Sequence, residues 1–319
     1  STFTNNTISA DGITGGGALS IFDATSNYNV VGTSVVTGST FTGNRAVSTA
    51  AGAIAQGAGI FNYNADLQVI DSVFTDNEAT ALGKARGGAI WSSDFPWWST
   101  PSLTVRDSAF TGNKATITGG ASDSQALGGA IYSRPELAAS GLNGTTIESS
   151  TFSGNEATAD AGSAYGGAAF LSATSAANTS TIRTSLFTGN TANGPKGRGG
   201  AVYSAVAPLT VTSSEFTSNS ATGSTGRADG GALYATTDAT GITIDSSTFS
   251  GNTATSASDN ATGGAMRLTA NGGGLPVAIV NSTITGNSAT AAAGSGTAAG
   301  GGVLGNAGAP VSVDFTTIT

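Results

Sequence analysis

Apolar and polar residues alternate in short runs along the whole chain, as in LTVRDSAFTGN (103–113) and ITIDSSTFSGN (242–252). Period-two alternation carried by Val, Ile, Thr and Phe predicts strands. No stretch combines helical periodicity with capping residues, so the pattern predicts an all-β chain.

The runs also repeat. The central apolar residue of the phrase S-x-F-[ST]-x-N falls at Phe3, Phe41, Phe74, Phe110, Phe152, Phe187, Phe216, Phe249, Ile284 and Ile318. Five residues before it stands Val or Ile, from Val36 to Val313. Two before stands Ser in every copy except the last, which has Thr316. Three after stands Asn6, Asn44, Asn77, Asn113, Asn155, Asn190, Asn219, Asn252 or Asn287. Five after stands Ala, except for Ile8 in the first copy. A second phrase, G-G-A-[ILV]-aromatic, begins at Gly16, Gly57, Gly87, Gly128, Gly166, Gly199, Gly230, Gly263 and Gly301. Length varies only between the Asn and the Gly-Gly, and between the aromatic and the next Val/Ile.

From Phe3 to Ile318 there are nine periods averaging about 35 residues. Short strands with one constant face and variable connections predict a single parallel β-helix over 1–319, one repeat per coil, about 43 Å long at the usual strand spacing. The Phe and Val/Ile columns would fill the interior. The Asn column would form a hydrogen-bonded ladder at a bend, and Gly-Gly would supply a turn with positive φ. Two charge columns support stacking in register: Arg45, Glu78, Lys114 and Glu156 alternate in sign, as do Arg106, Glu148 and Arg183.

The copies GGAI at 87–90 and 128–131, and FTGN at 41–44, 110–113 and 187–190, carry a resemblance. The pair of phrases closely resembles the GGA[ILV] and FxxN repeats of chlamydial polymorphic membrane proteins and related bacterial β-helix surface proteins. The resemblance implies a right-handed coil, secretion as an autotransporter passenger, and a role in adhesion.

Composition narrows the chemistry. Only 9% of residues are charged and the net charge is −8, which argues against nucleic acid or an anionic membrane as partner. Cys and His are absent, removing disulfides, thiolate metal sites and the commonest general base. No apolar run is long enough for a membrane-spanning helix. No cofactor is expected. Asp71 and Asp107 share a column on adjacent coils and are a candidate metal or acid pair; solvated turn acids are the simpler reading, as for Asp76 and Glu78 on either side of Asn77. A polysaccharide-active enzyme and an ice-binding protein are both minor expectations, because converging carboxylates are absent and the Thr column is broken at Val73, Ala109, Leu186 and Glu215.

The aromatics after the Gly-Gly phrase, Phe61, Trp91, Tyr132, Phe170, Tyr203 and Tyr234, are expected to point outward as a stripe suited to a glycan or a lateral contact, or to stack on themselves. Trp97 and Trp98, in the loop DFPWWSTP (94–101), are a second candidate contact. Lys84/Arg86 and Lys196/Arg198 read as solvated basic turns. Neither end shows a cap: Ser1, Phe3 and Ile8 at one end, and Val311, Val313 and Ile318 at the other, keep interior character. The expectation is an extracellular, non-enzymatic subunit stacking head to tail with itself into a filament or surface layer, with an adhesin passenger as the alternative.

Overall fold

The computed structural model describes residues 1–23, 32–93, 102–135, 144–173, 178–237, 241–271, 276–292, 296–307 and 311–319. Among these residues every regular element is a short strand and there is no helix. One coil shows the order. Thr40–Thr42, Arg45–Ser48, Ile54–Gln56, Ile60–Tyr63 and Asp66–Ile70 follow one another and enter five different sheets, here called first to fifth. Each strand pairs in parallel with its equivalent one coil on, Phe41 with Phe74, Ala46 with Ala79, Ile60 with Ile90 and Val69 with Val105. The first sheet has ten such strands and the other four have nine. The protein is a parallel β-solenoid. Coil length runs from 29 residues (Asn190 to Asn219) to 42 (Asn113 to Asn155), yet the register never slips.

The columns explain why. Phe41 to Phe249 are fully buried, and their rings lie nearly parallel at centroid spacings of 4.6–4.7 Å. Isolated rings prefer offset or edge-to-face contacts, so the coil spacing imposes this geometry. Burial supplies most of the stabilisation, about 1.5–3 kcal/mol per side chain. The Val/Ile of the fifth sheet and the apolar residue after Gly-Gly complete this core. The Ala column of the second sheet packs against third-sheet alanines in a smaller one.

Two polar ladders run beside the apolar columns. Asn155 is buried; its Nδ2 donates to Asn190 Oδ1 (2.9 Å) and to the Phe110 carbonyl (3.0 Å), while its Oδ1 accepts from the backbone N–H and Nδ2 of Asn113. The same pattern repeats in the coils on either side. The Ser column, to which the sequence reading gave no role, forms the second ladder. Ser72 Oγ accepts from the Ser39 N–H (3.2 Å) and donates to the Ile70 carbonyl (2.9 Å). The buried side chains of these two columns are thereby satisfied from coil to coil.

Corner conformations are set locally. Gly87 has φ +59°, and a Cβ there would collide with the Ile90 carbonyl; one on Gly88 would strike the backbone of Gly129 and Lys114. The last copy of the turn begins at Gly300, not at Gly301 as the three-glycine run suggested: Gly300 carries the positive φ, and Val303 pairs with Met266. A second corner, just before the Ser column, also has positive φ but carries Asp71, Asp107, Ser149, Thr184 or Ser213. The charge columns meet as expected in two places, Arg45–Glu78 at 2.9 Å and Arg183–Glu148 at 2.8 Å. Lys114–Glu156 is looser at 3.6 Å, and Arg106 turns to Asp107 (3.3 Å) rather than to Glu148.

Candidate functional site

The second strand of each Gly-Gly turn folds back on the first, so outward residues of the third and fourth sheets face each other across a seam. Alternation does aim the aromatics of the fourth sheet away from the main core, but the third sheet covers them. Trp91, Tyr132, Phe170 and Tyr234 are all less than a tenth exposed, and Phe61 and Tyr203 are half-buried. The rings stack with spacings from 4.5 Å (Phe61–Trp91) to 6.3 Å (Trp91–Tyr132). Their faces are taken by one another, which leaves little ring for a flat sugar to lie on.

The facing column, one residue before Gly-Gly, reads Gln56, Arg86, Leu127, Tyr165, Arg198, Asp229 and Thr262. At the N-terminal end, once the Gln56 amide is oriented with its oxygen towards the donors around it, that oxygen accepts from Arg86 (3.2 Å) and from the Trp91 indole (3.1 Å). Arg86 lies over the Tyr132 ring at 5.3 Å. Arg86 and Arg198 are therefore strand residues half-covered by aromatics, and the expectation of solvated turns fails for them. The reason is the concave seam, which gives a long cationic side chain rings to lie on.

Charge concentrates farther along. Asp229 is wholly buried, and Arg198 Nε reaches it at 3.1 Å. Arg267 and Thr262 also bond its carboxylate, and Arg227 stands 3.9 Å away. Arg198 stacks over Tyr165 (5.5 Å) and Tyr234 (5.2 Å), and Arg267 over Tyr234 (5.7 Å). Burial opposes the Arg198 charge, but Tyr234, Tyr165 and Asp229 outweigh it and hold its pKa above the usual range. Burial, then Tyr234, pushes the Tyr203 hydroxyl up to about 12.

Sequence reasoning missed Asp229, Arg227 and Arg267. A signal was present: Arg267 occupies the aromatic column opposite Tyr234, and Arg198 directly precedes Asp229 in the facing column. Only reading the two columns together would have joined them.

The other expected residues lie apart. Asp71 and Asp107 occupy the positive-φ corner of neighbouring coils, and Asp107 is ion-paired to Arg106. Among the described residues no group of three or more metal-ligating side chains occurs. Trp97 and Trp98 lie outside the described residues. A hollow of about 300 Å³ is lined by Gly52, Gly83, Lys84, Gly120 and Asp123. There burial, then Arg86 and Arg134, holds Lys84 below the usual lysine range. A second hollow, about 450 Å³, is lined mostly by Ser and Thr of the positive-φ corner. No described helix is long and apolar enough to cross a membrane.

Residues 184–205 match the Chlamydia polymorphic membrane protein repeat. The matched stretch holds both phrases of one coil, Phe187 to Asn190 and Gly199 to Tyr203. No curated protein and no solved structure matches the chain. The sheets and columns define a parallel β-solenoid repeat protein. Within that class, one coil, residues 184–205, is similar to the Chlamydia polymorphic membrane protein repeat, and the other coils carry the same two phrases.

Proposed function

We propose that the chain is a cell-surface, adhesin-like passenger segment: a stiff, non-enzymatic rod that holds variable outer positions at fixed spacing. One observation carries this reading. The interior columns are uniform through the coils, while length and outer residues vary, within a repeat of the polymorphic membrane protein kind. That division suits a scaffold whose outside is read by a partner. The test is display of the chain on a non-adherent bacterium, followed by counting of bound host cells. Binding several-fold above an undecorated control supports the reading, and binding at the control level overturns it.

Head-to-tail stacking with a second copy into a filament or surface layer is the other reading. Val311, Val313 and Ile318 are 41%, 49% and 51% exposed, and Ile8 is 38% exposed, whereas their equivalents in middle coils are buried. A further coil, from the same polypeptide or from another copy, would cover them. Negative-stain images over a concentration series test this. Uniform fibres lost in Val313→Glu support stacking, and short rods at every concentration refute it.

A further inference from the structure

The Asp229 cluster has more positive charge than its carboxylate can match. Arg198, Arg227 and Arg267 surround one buried acid that Thr262 also bonds. Lys196 adds a fourth cation. It lies two residues before Arg198 on the same strand, so both side chains leave the same face. Its Cγ lies close to Gly226, where a Cβ would come within 2.9 Å, and because Gly197 pairs with Ala228, Lys196 stands one place earlier in register with Arg227. Lys196 is exposed and Arg227 is 36% exposed, so the outer edge of the cluster is open to solvent. Among the described residues, no carboxylate forms an ion pair with Lys196. The Arg227 Nε is buried and has no hydrogen-bond partner.

Such an excess is unusual in a chain of net charge −8 with only 11 basic residues. A stack of like charges is held together here by one buried anion and by tyrosine rings. The rings fix the guanidinium planes of Arg198 and Arg267, so these two have little rotamer freedom left to lose when a ligand arrives. Guanidinium forks and an ammonium at a rim select for sulfate or carboxylate oxygens.

We propose that Lys196, Arg198 and Arg227 form a binding site for the anionic groups of an acidic polysaccharide, sulfate esters or uronate carboxylates. The inference rests on the adhesin reading and names its ligand class. Repeating anionic groups on a sugar chain fit a site that lies along a rod edge, with Asp229 and Arg267 acting behind it as positioning residues.

The test uses the full chain in titrations with heparin (sulfated), polygalacturonate (carboxylate only) and dextran (neutral). Heparin or polygalacturonate should bind with strong salt dependence, and dextran should not. Heparin carries both groups, so binding to heparin but not to polygalacturonate assigns sulfate as the ligand, and binding to polygalacturonate assigns carboxylate. The double variant Lys196→Gln/Arg227→Gln should weaken binding by at least about tenfold, as loss of charge-assisted hydrogen bonds does. The control Arg45→Gln/Lys114→Gln, which removes equal charge from the second sheet, should change it by no more than about twofold. Melting curves check that each variant folds, and Lys196→Gln alone gives a milder probe in the same direction. Absence of binding to both polyanions, or an equal loss in the control, overturns the proposal. Host-cell binding is scored in parallel. Cell binding without polyanion binding overturns only this site, and polyanion binding without cell binding overturns only the adhesin reading.

Discussion

The Phe–Asn interior and the aromatic–arginine seam are built on the same coil spacing and use it in opposite ways. In the interior, each coil offers the same residue: Phe stacks on Phe and Asn bonds to Asn, with the ladder amides satisfied from coil to coil. The seam is a sequence of different residues that meet in pairs, Gln56 with Trp91, Arg198 with Tyr234, Asp229 with Arg267. Uniform columns specify register, because any coil fits any neighbour in only one alignment. The seam specifies local chemistry, because each level has its own partner set. A solenoid can therefore keep one fold and change its outer surface coil by coil.

The sharpest way to break the comparison is Asn155→Asp. An aspartate cannot donate to the Phe110 carbonyl or to Asn190 Oδ1, and it buries a charge. A loss of about 4 kcal/mol or more is expected, read as a lower denaturation midpoint and as faster amide exchange centred on neighbouring coils. A uniform rise in exchange along the rod would refute the nearest-neighbour picture.

Asp229→Asn comes next. It leaves Arg198 and Arg267 half-buried and uncompensated, for a loss of about 3 kcal/mol. Exchange should rise from Lys196 to Arg267 and stay unchanged near Arg45.

Alkaline titration has a smaller effect. Burial, then Tyr234, pushes the Tyr203 hydroxyl up to about 12 in the folded chain, against 10.0 for a free tyrosine. Its contribution is present in full below pH ~10 and is lost as pH rises towards ~12, by about 2–3 kcal/mol at most. Melting temperatures between those limits should fall for the native chain and fall less for Tyr203→Phe.

Glu78→Gln should do least. The Arg45 side chain in that pair is 50% exposed, so the loss should be within about 1 kcal/mol and vanish in high salt.

Much of the fold was legible because its determinants recur. Phe, Val/Ile, Ser and Asn stand at constant offsets, and offset alone identifies an interior column. The Gly300 correction shows the limit: three consecutive glycines look alike in sequence, and only φ and the Val303–Met266 pairing separate them. The seam was harder for a physical reason. Its contacts join residues on opposite sides of a turn and on adjacent coils, so neither strand periodicity nor a single column contains them. Outward alternation was read correctly for Trp91 and Tyr132, but outward is not the same as exposed where two sheets meet at a concave angle. Asp229 drew no notice in the sequence because its partners, Arg198 and Arg267, lie 31 and 38 positions away in the chain.

The asparagine ladder has one more consequence. Each side-chain amide from Asn6 to Asn252 gives one N–H to the Asn of the coil that follows, and from Asn44 on its carbonyl oxygen accepts from the Asn of the coil before. The amide dipoles therefore add head to tail along the rod, as peptide dipoles do in an α-helix, with the positive pole towards the C-terminal coils. Hydrogen bonds in such a row polarise one another. The two ends of the solenoid are thus electrically distinct, and the rod has a direction that its outer shape alone would not reveal.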